Sequence, residues 1–100
     1  MATKLLPPVH PGAFVKELIQ EYGMSMYALA KALAVNPIRI VQIVHGKRAV
    51  TPDTAMRLAI YFGGDAQSWV NWQAQYDLKL AQQKYAKELE RQIQPFAMAV

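Results

Sequence analysis

Residues 25–46 read SMYALAKALAVNPIRIVQIVHG, and they predict two short helices joined by a turn. Ser25 suits a helix N-cap, where its hydroxyl accepts from an early backbone N–H. Leu29, Ala30 and Leu33 then recur at helical spacing. Ala34 and Val35 fall at the turn. Asn36 caps the second helix, Pro37 takes its first position, where a missing N–H does no harm, and Gly46 ends it.

The second helix has two unlike faces. At about 100° per residue, Ile40, Ile43 and Val44 share one side, while Ile38, Gln42 and His45 share the other, with Val41 beside them and Arg39 on a flank. Small Ala30 lets the two helices cross closely, and Leu29, Ile40 and Ile43 lock them. The outer side suits a DNA major groove: Arg bonds guanine bidentately, Gln bonds adenine, and apolar carbon meets a thymine methyl. Lys47 and Arg48 follow at once and suit phosphates, which position rather than specify. The expected DNA-binding set is therefore Arg39 and Gln42 for base edges, Ile38 for apolar contact, Asn36 and Pro37 at the helix start, and Lys47 and Arg48 on phosphate. Ser25, Tyr27 and His45 complete it as further phosphate candidates. The alternative is an ordinary helical hairpin with a charged outer face.

The pattern resembles a lambda-repressor-like (Xre-type) helix-turn-helix. That family commonly has glycine where this chain has Ala34, because the turn favours a left-handed backbone. Alanine in that conformation costs about 1 kcal/mol, so either the turn differs slightly or the core absorbs the strain.

The rest of the chain sets bounds. One hundred residues make one domain. Without cysteine there is no disulfide or thiolate site. No apolar run approaches the ~20 residues of a membrane span, and the opening MATKLLPPV lacks a signal-peptide core. A cytoplasmic, nucleoid-associated protein is the expectation. Net charge is +4, and residues 1–60 hold seven Lys/Arg against three acids, whereas residues 61–100 hold four of each. The half with the helix pair thus owns the excess, as a polyanion-binding face should. His10 and His45 have no third ligand at metal spacing, and no nucleophile, base or phosphate loop is grouped for catalysis; neither metal, cofactor nor enzyme activity is expected.

In chain order, residues 1–9 read as a flexible arm, and Lys4 is the one cation in it. His10-Pro11-Gly12 opens a first helix with a stripe of Phe14, Leu18, Ile19 and Tyr22, ended by Gly23. Thr51-Pro52-Asp53 starts a fourth helix that buries Ala55, Leu58, Ala59 and Phe62 and closes at Gly63-Gly64. Asp65 caps a fifth, from about residue 66 to 92, before Pro95 forbids more. Trp69, Trp72, Tyr76 and Leu80 step along one side of it, and these are the expected dimer interface. Leu78, Tyr85 and Leu89 form an adjoining strip. The division is an arm at 1–9, a five-helix all-α DNA-binding domain at 10–81, and a C-terminal helical extension and tail at 82–100.

Taken together, His10-Pro-Gly, Leu29-Ala-Lys-Ala-Leu, Ile43-Val-His-Gly-Lys-Arg, Leu58-Ala with Phe62, Trp69-Val-Asn-Trp-Gln and Tyr76-Asp-Leu resemble the HigA/VapI antitoxin family over about residues 10–81. The resemblance implies a homodimer that binds double-stranded operator DNA, represses its own operon and neutralises a small basic mRNA endonuclease of the HigB type. A free-standing repressor without a toxin, and a protein-interaction module whose DNA binding is vestigial, stay open as alternatives.

Overall fold

A computed structural model describes residues 8–97. It contains α1 (Gly12–Glu21), α2 (Met26–Leu33), α3 (Pro37–Val44), α4 (Pro52–Phe62) and α5 (Ala66–Gln92), and no strand among those residues. Residues 1–7 of the expected arm, Lys4 among them, lie outside the described residues, as do residues 98–100 of the tail. Val9, at the inner end of the arm, is tied down: its carbonyl accepts from Trp72 Nε1 at 2.9 Å.

Local chemistry starts each helix. Ser25 Oγ accepts from the N–H of Ala28, Asn36 Oδ1 from Ile38, Thr51 Oγ1 from Thr54, and Asp65 Oδ1 from Ser68. Each satisfies a donor that its helix leaves unpaired. α1 is started differently, since Pro11 offers no side-chain cap. His10 Nδ1 supplies the acceptor instead, taking the N–H of Gly12 at 2.9 Å.

The turn between α2 and α3 has the expected left-handed residue, Ala34, at φ 59° and ψ 45°. Val35 N–H donates to Ala30 O at 3.0 Å and Ala34 N–H to Lys31 O at 3.1 Å, closing the end of α2. Arg57 of α4 reaches across and donates Nη1 to the carbonyls of Leu33 and Ala34, at 2.8 and 3.3 Å. These bonds hold alanine in a conformation it would leave if free.

The core lies where α1–α4 meet the first turns of α5. Leu29, Ala30 and Leu33 of α2 pack on Ile40 and Ile43 of α3; Val15, Ile19, Val50, Ala55, Leu58 and Trp69 close around them. Burying one such aliphatic side chain contributes roughly 1.5–3 kcal/mol.

Two expected faces shift. On α1 the innermost residues are Gly12, Val15 and Ile19, whereas Phe14 keeps 38 % of its surface exposed and Tyr22 60 %. The reason is the close approach of α1 to α3: a Cβ on Gly12 would lie 1.7 Å from the carbonyl oxygen of Ile43. That contact turns the 12–15–19 stripe inward and leaves the 14–18–22 stripe to pack sideways. Phe14 meets Trp69 and Trp72, and Tyr22 stacks on Phe62. On α4, Ala55 and Leu58 are buried as expected and Ala59 and Phe62 half-buried, but Thr54 is buried too.

α5 is continuous for 27 residues, about 40 Å at 1.5 Å per residue, and stretches a molecule of 54 × 26 × 23 Å. Only Trp69 and Gln73 of it are buried. Past Asp77 the helix leaves the body and carries Leu78, Leu80, Tyr85 and Leu89 exposed, followed by exposed Ile93 and Phe96. No helix among the described residues is long and apolar enough to cross a membrane.

Candidate nucleic-acid interface

Pro37 and the Asn36 cap fix the start of α3, and buried Ile40 and Ile43 fix its roll. The opposite side then carries Ile38, half exposed, with half-buried Val41 and Gln42 and exposed His45. Beyond the helix end, Lys47 and Arg48 are exposed. At the start of α2, Ser25 and Tyr27 are exposed as well. The structure therefore gathers Ile38, Gln42, His45 and the Lys47-Arg48 pair around one short helix.

The two expected base readers are already bonded within the protein. Arg48 Nε donates to Gln42 Oε1 at 2.8 Å. An amide oxygen has two lone pairs, so Gln42 can still accept a second bond while keeping Arg48. Arg39 is turned toward α4: its Nη1 donates to Asp53 Oδ2 at 2.6 Å and to Thr54 Oγ1 at 3.3 Å. Asp53 also accepts from Arg57 Nε at 2.9 Å. Hydrogen bonds from Arg57 first and Arg39 second hold the Asp53 carboxyl below its ordinary range.

Behind this side lie Gln73, which secures the loop after α3, and His10. Gln73 of α5 is 7 % exposed; its Oε1 accepts the N–H of Val50 at 2.8 Å and its Nε2 donates to Asp77 at 2.9 Å. His10 packs edge-on against Tyr76, with ring centroids 5.0 Å apart. Burial pushes the imidazole below its usual range, against the opposing pull of Asp77 and of the Arg48 backbone. Only a neutral Nδ1 can accept from Gly12, so the cap and the shift agree. Asp53 and Arg57 carry a signal, the i,i+4 spacing of opposite charges; Gln73 carries none, since a lone glutamine on a helix reads as solvated.

The residues expected at a dimer interface divide. Trp69 lies in the core of this chain at 8 % exposure. Trp72 stacks against Trp69 and Phe14 and is bonded to Val9, and Tyr76 meets His10. Leu80 is exposed. No group of three or more His, Asp or Glu able to hold a metal ion occurs among the described residues.

A family profile described as helix-turn-helix matches residues 15–69, from the middle of α1 into the start of α5. Virulence-associated protein I of Dichelobacter nodosus is 54 % identical over 79 residues, which cover 78 % of this chain and 73 % of that protein. An addiction-module antidote protein of the HigA family from Coxiella burnetii is 40 % identical, with a TM-score of 0.84 over 91 % of this chain and all of that one. This chain belongs to the helix-turn-helix family of HigA/VapI type. The Pseudomonas aeruginosa antitoxin HigA, solved with the higBA promoter, is 38 % identical with a TM-score of 0.85, covering 89 % of this chain and 98 % of that one. The likeness extends over α5, so the long last helix belongs to the shared fold.

Proposed function

We propose that the chain is a DNA-binding antitoxin that represses its own promoter. One observation carries the reading: the outward side of α3, with Ile38, Gln42 and His45 beside Lys47 and Arg48, sits on the fold of an antitoxin solved with promoter DNA. α3 enters one major groove, where Gln42 faces a base edge and Ile38 a thymine methyl. Lys47 and Arg48 take phosphates, with Ser25, Tyr27, Asn36 and Pro37 against the backbone. Two copies pair through α5, and the two-fold dimer reads a near-palindrome with half-sites ~34–36 Å apart. The neutralised partner is a small basic mRNA endonuclease of the HigB type, encoded beside it and acting in the same cytoplasm.

Two experiments test this. A gel shift on the chain's own promoter fragment, at several salt concentrations, should give tighter binding than random duplex; equal binding to both would sink specific repression. A shift of neither duplex would leave the protein-interaction module, which the exposed Ile38 favours. Co-expression with the neighbouring gene product should relieve growth arrest and co-purify the two; a neighbour that neither arrests growth nor binds leaves a free-standing repressor.

A further inference from the structure

We propose that Asp53 sets the specificity of the interface by holding Arg39 off the phosphate backbone, so that random duplex gains no extra cationic contact. The inference rests on the DNA-binding reading above. Between Tyr22 and Gly64 the chain has five cations (Lys31, Arg39, Lys47, Arg48 and Arg57), and Asp53 is the one acid. A carboxylate alone on such a half opposes any polyanion. It is not needed to cap α4, because the hydroxyl of Thr51 does that.

Its two arginine partners are not equivalent. Arg57 keeps the carbonyls of Leu33 and Ala34 whether or not Asp53 is charged. Arg39 has Asp53 at 2.6 Å and otherwise only the Thr54 hydroxyl at 3.3 Å. Removing the charge therefore releases Arg39 and leaves Arg57 seated. Arg39, Arg48, Thr51, Asp53, Thr54 and Arg57 line one open cleft at the start of α4, which gives the released guanidinium room to swing. With its carboxyl held below the ordinary range, Asp53 keeps its charge at neutral pH. A freed Arg39 reaches a phosphate of any sequence, and each such contact adds about 0.9 to the salt-dependence slope.

The test measures the wild type, Asp53→Asn, Asp53→Glu, Arg39→Ala and the Arg39→Ala/Asp53→Asn pair on promoter and random duplexes across salt. Asp53→Asn should bind random duplex about three- to tenfold tighter at low salt, with a slope steeper by about 0.9, and so lose selectivity. Asp53→Glu, keeping the charge, should behave as wild type, and in the Arg39→Ala background Asp53→Asn should leave the slope unchanged, because a lost carboxylate without a freed guanidinium adds no phosphate contact. A merely structural ion pair predicts the opposite sign, weaker binding to both duplexes, and that result overturns the proposal. So does a steeper slope that survives Arg39→Ala. Thermal melts of every protein establish that folded chains are compared. A wild type that shifts neither duplex sinks the DNA-binding reading itself; a selective wild type whose selectivity Asp53→Asn leaves intact sinks only the role of Asp53.

Discussion

Around α3 several polar side chains, Gln42, Arg39 and Arg48 among them, are bonded to the protein, whereas along α5 past Asp77 the apolar side chains are bare. In the first region Arg48 meets Gln42, Arg39 meets Asp53, Arg57 meets the end of α2, and Gln73 holds Val50. In the second, Leu78, Leu80, Tyr85 and Leu89 are all exposed. Bonded polar groups fix the shape of a surface that must stay in water. Bare apolar groups on a helix that has outrun its domain have no such account within one chain, and exposed apolar area of this kind marks contact with another. The overhang is therefore the surface on which the proposed pairing of two copies through α5 rests.

The contrast can be broken at the body first. Gly12→Ala puts a methyl group into the carbonyl of Ile43 and forces α1 off α3; a loss of about 3 kcal/mol is expected in urea unfolding. A loss under about 1 kcal/mol would mean that the two helices are not pressed together. Gln73→Leu strips the Val50 N–H of its acceptor in a buried place and should cost about 1–3 kcal/mol; unchanged stability would assign that N–H another partner. Ala34→Gly relieves the left-handed strain at φ 59°. It should raise stability by about 0.5 kcal/mol, after glycine's greater chain entropy is counted. A decrease would show that Arg57 and the turn bonds already offset the strain.

The overhang should respond in the other sense. Leu89→Ala is expected to change monomer stability by less than about 0.5 kcal/mol while weakening self-association, read by sedimentation equilibrium. A folding defect with association unchanged would erase the distinction between the two regions.

What the sequence reveals follows the range of each interaction. Ser25, Asn36, Thr51 and Asp65 are legible as caps because a cap involves neighbours two or three residues away. The extent of α5 is legible from Asp65 and Pro95 for the same reason. Of the inner face of α1 only Ile19 is legible, because a stripe of Phe14, Leu18 and Tyr22 is as periodic as one of Gly12, Val15 and Ile19. Only the approach of Ile43, 31 residues on, decides between them. On the outward side of α3, exposure of Ile38 is readable from the helical period, and that of Lys47 and Arg48 from their place beyond the helix end. The turning of Arg39 toward Asp53 is not, since a charge pair 14 residues apart across two helices leaves no periodic mark.

Both tryptophans of the chain, Trp69 and Trp72, stand together at the seam where α5 meets Phe14 of α1. Tryptophan emission, excited apart from the tyrosines, is consequently a single-site gauge, blind to the far end of α5 and to α3. Any change in tryptophan emission on adding a duplex would have to travel to that seam, most directly through the indole's grip on Val9, and would report relayed motion rather than touch.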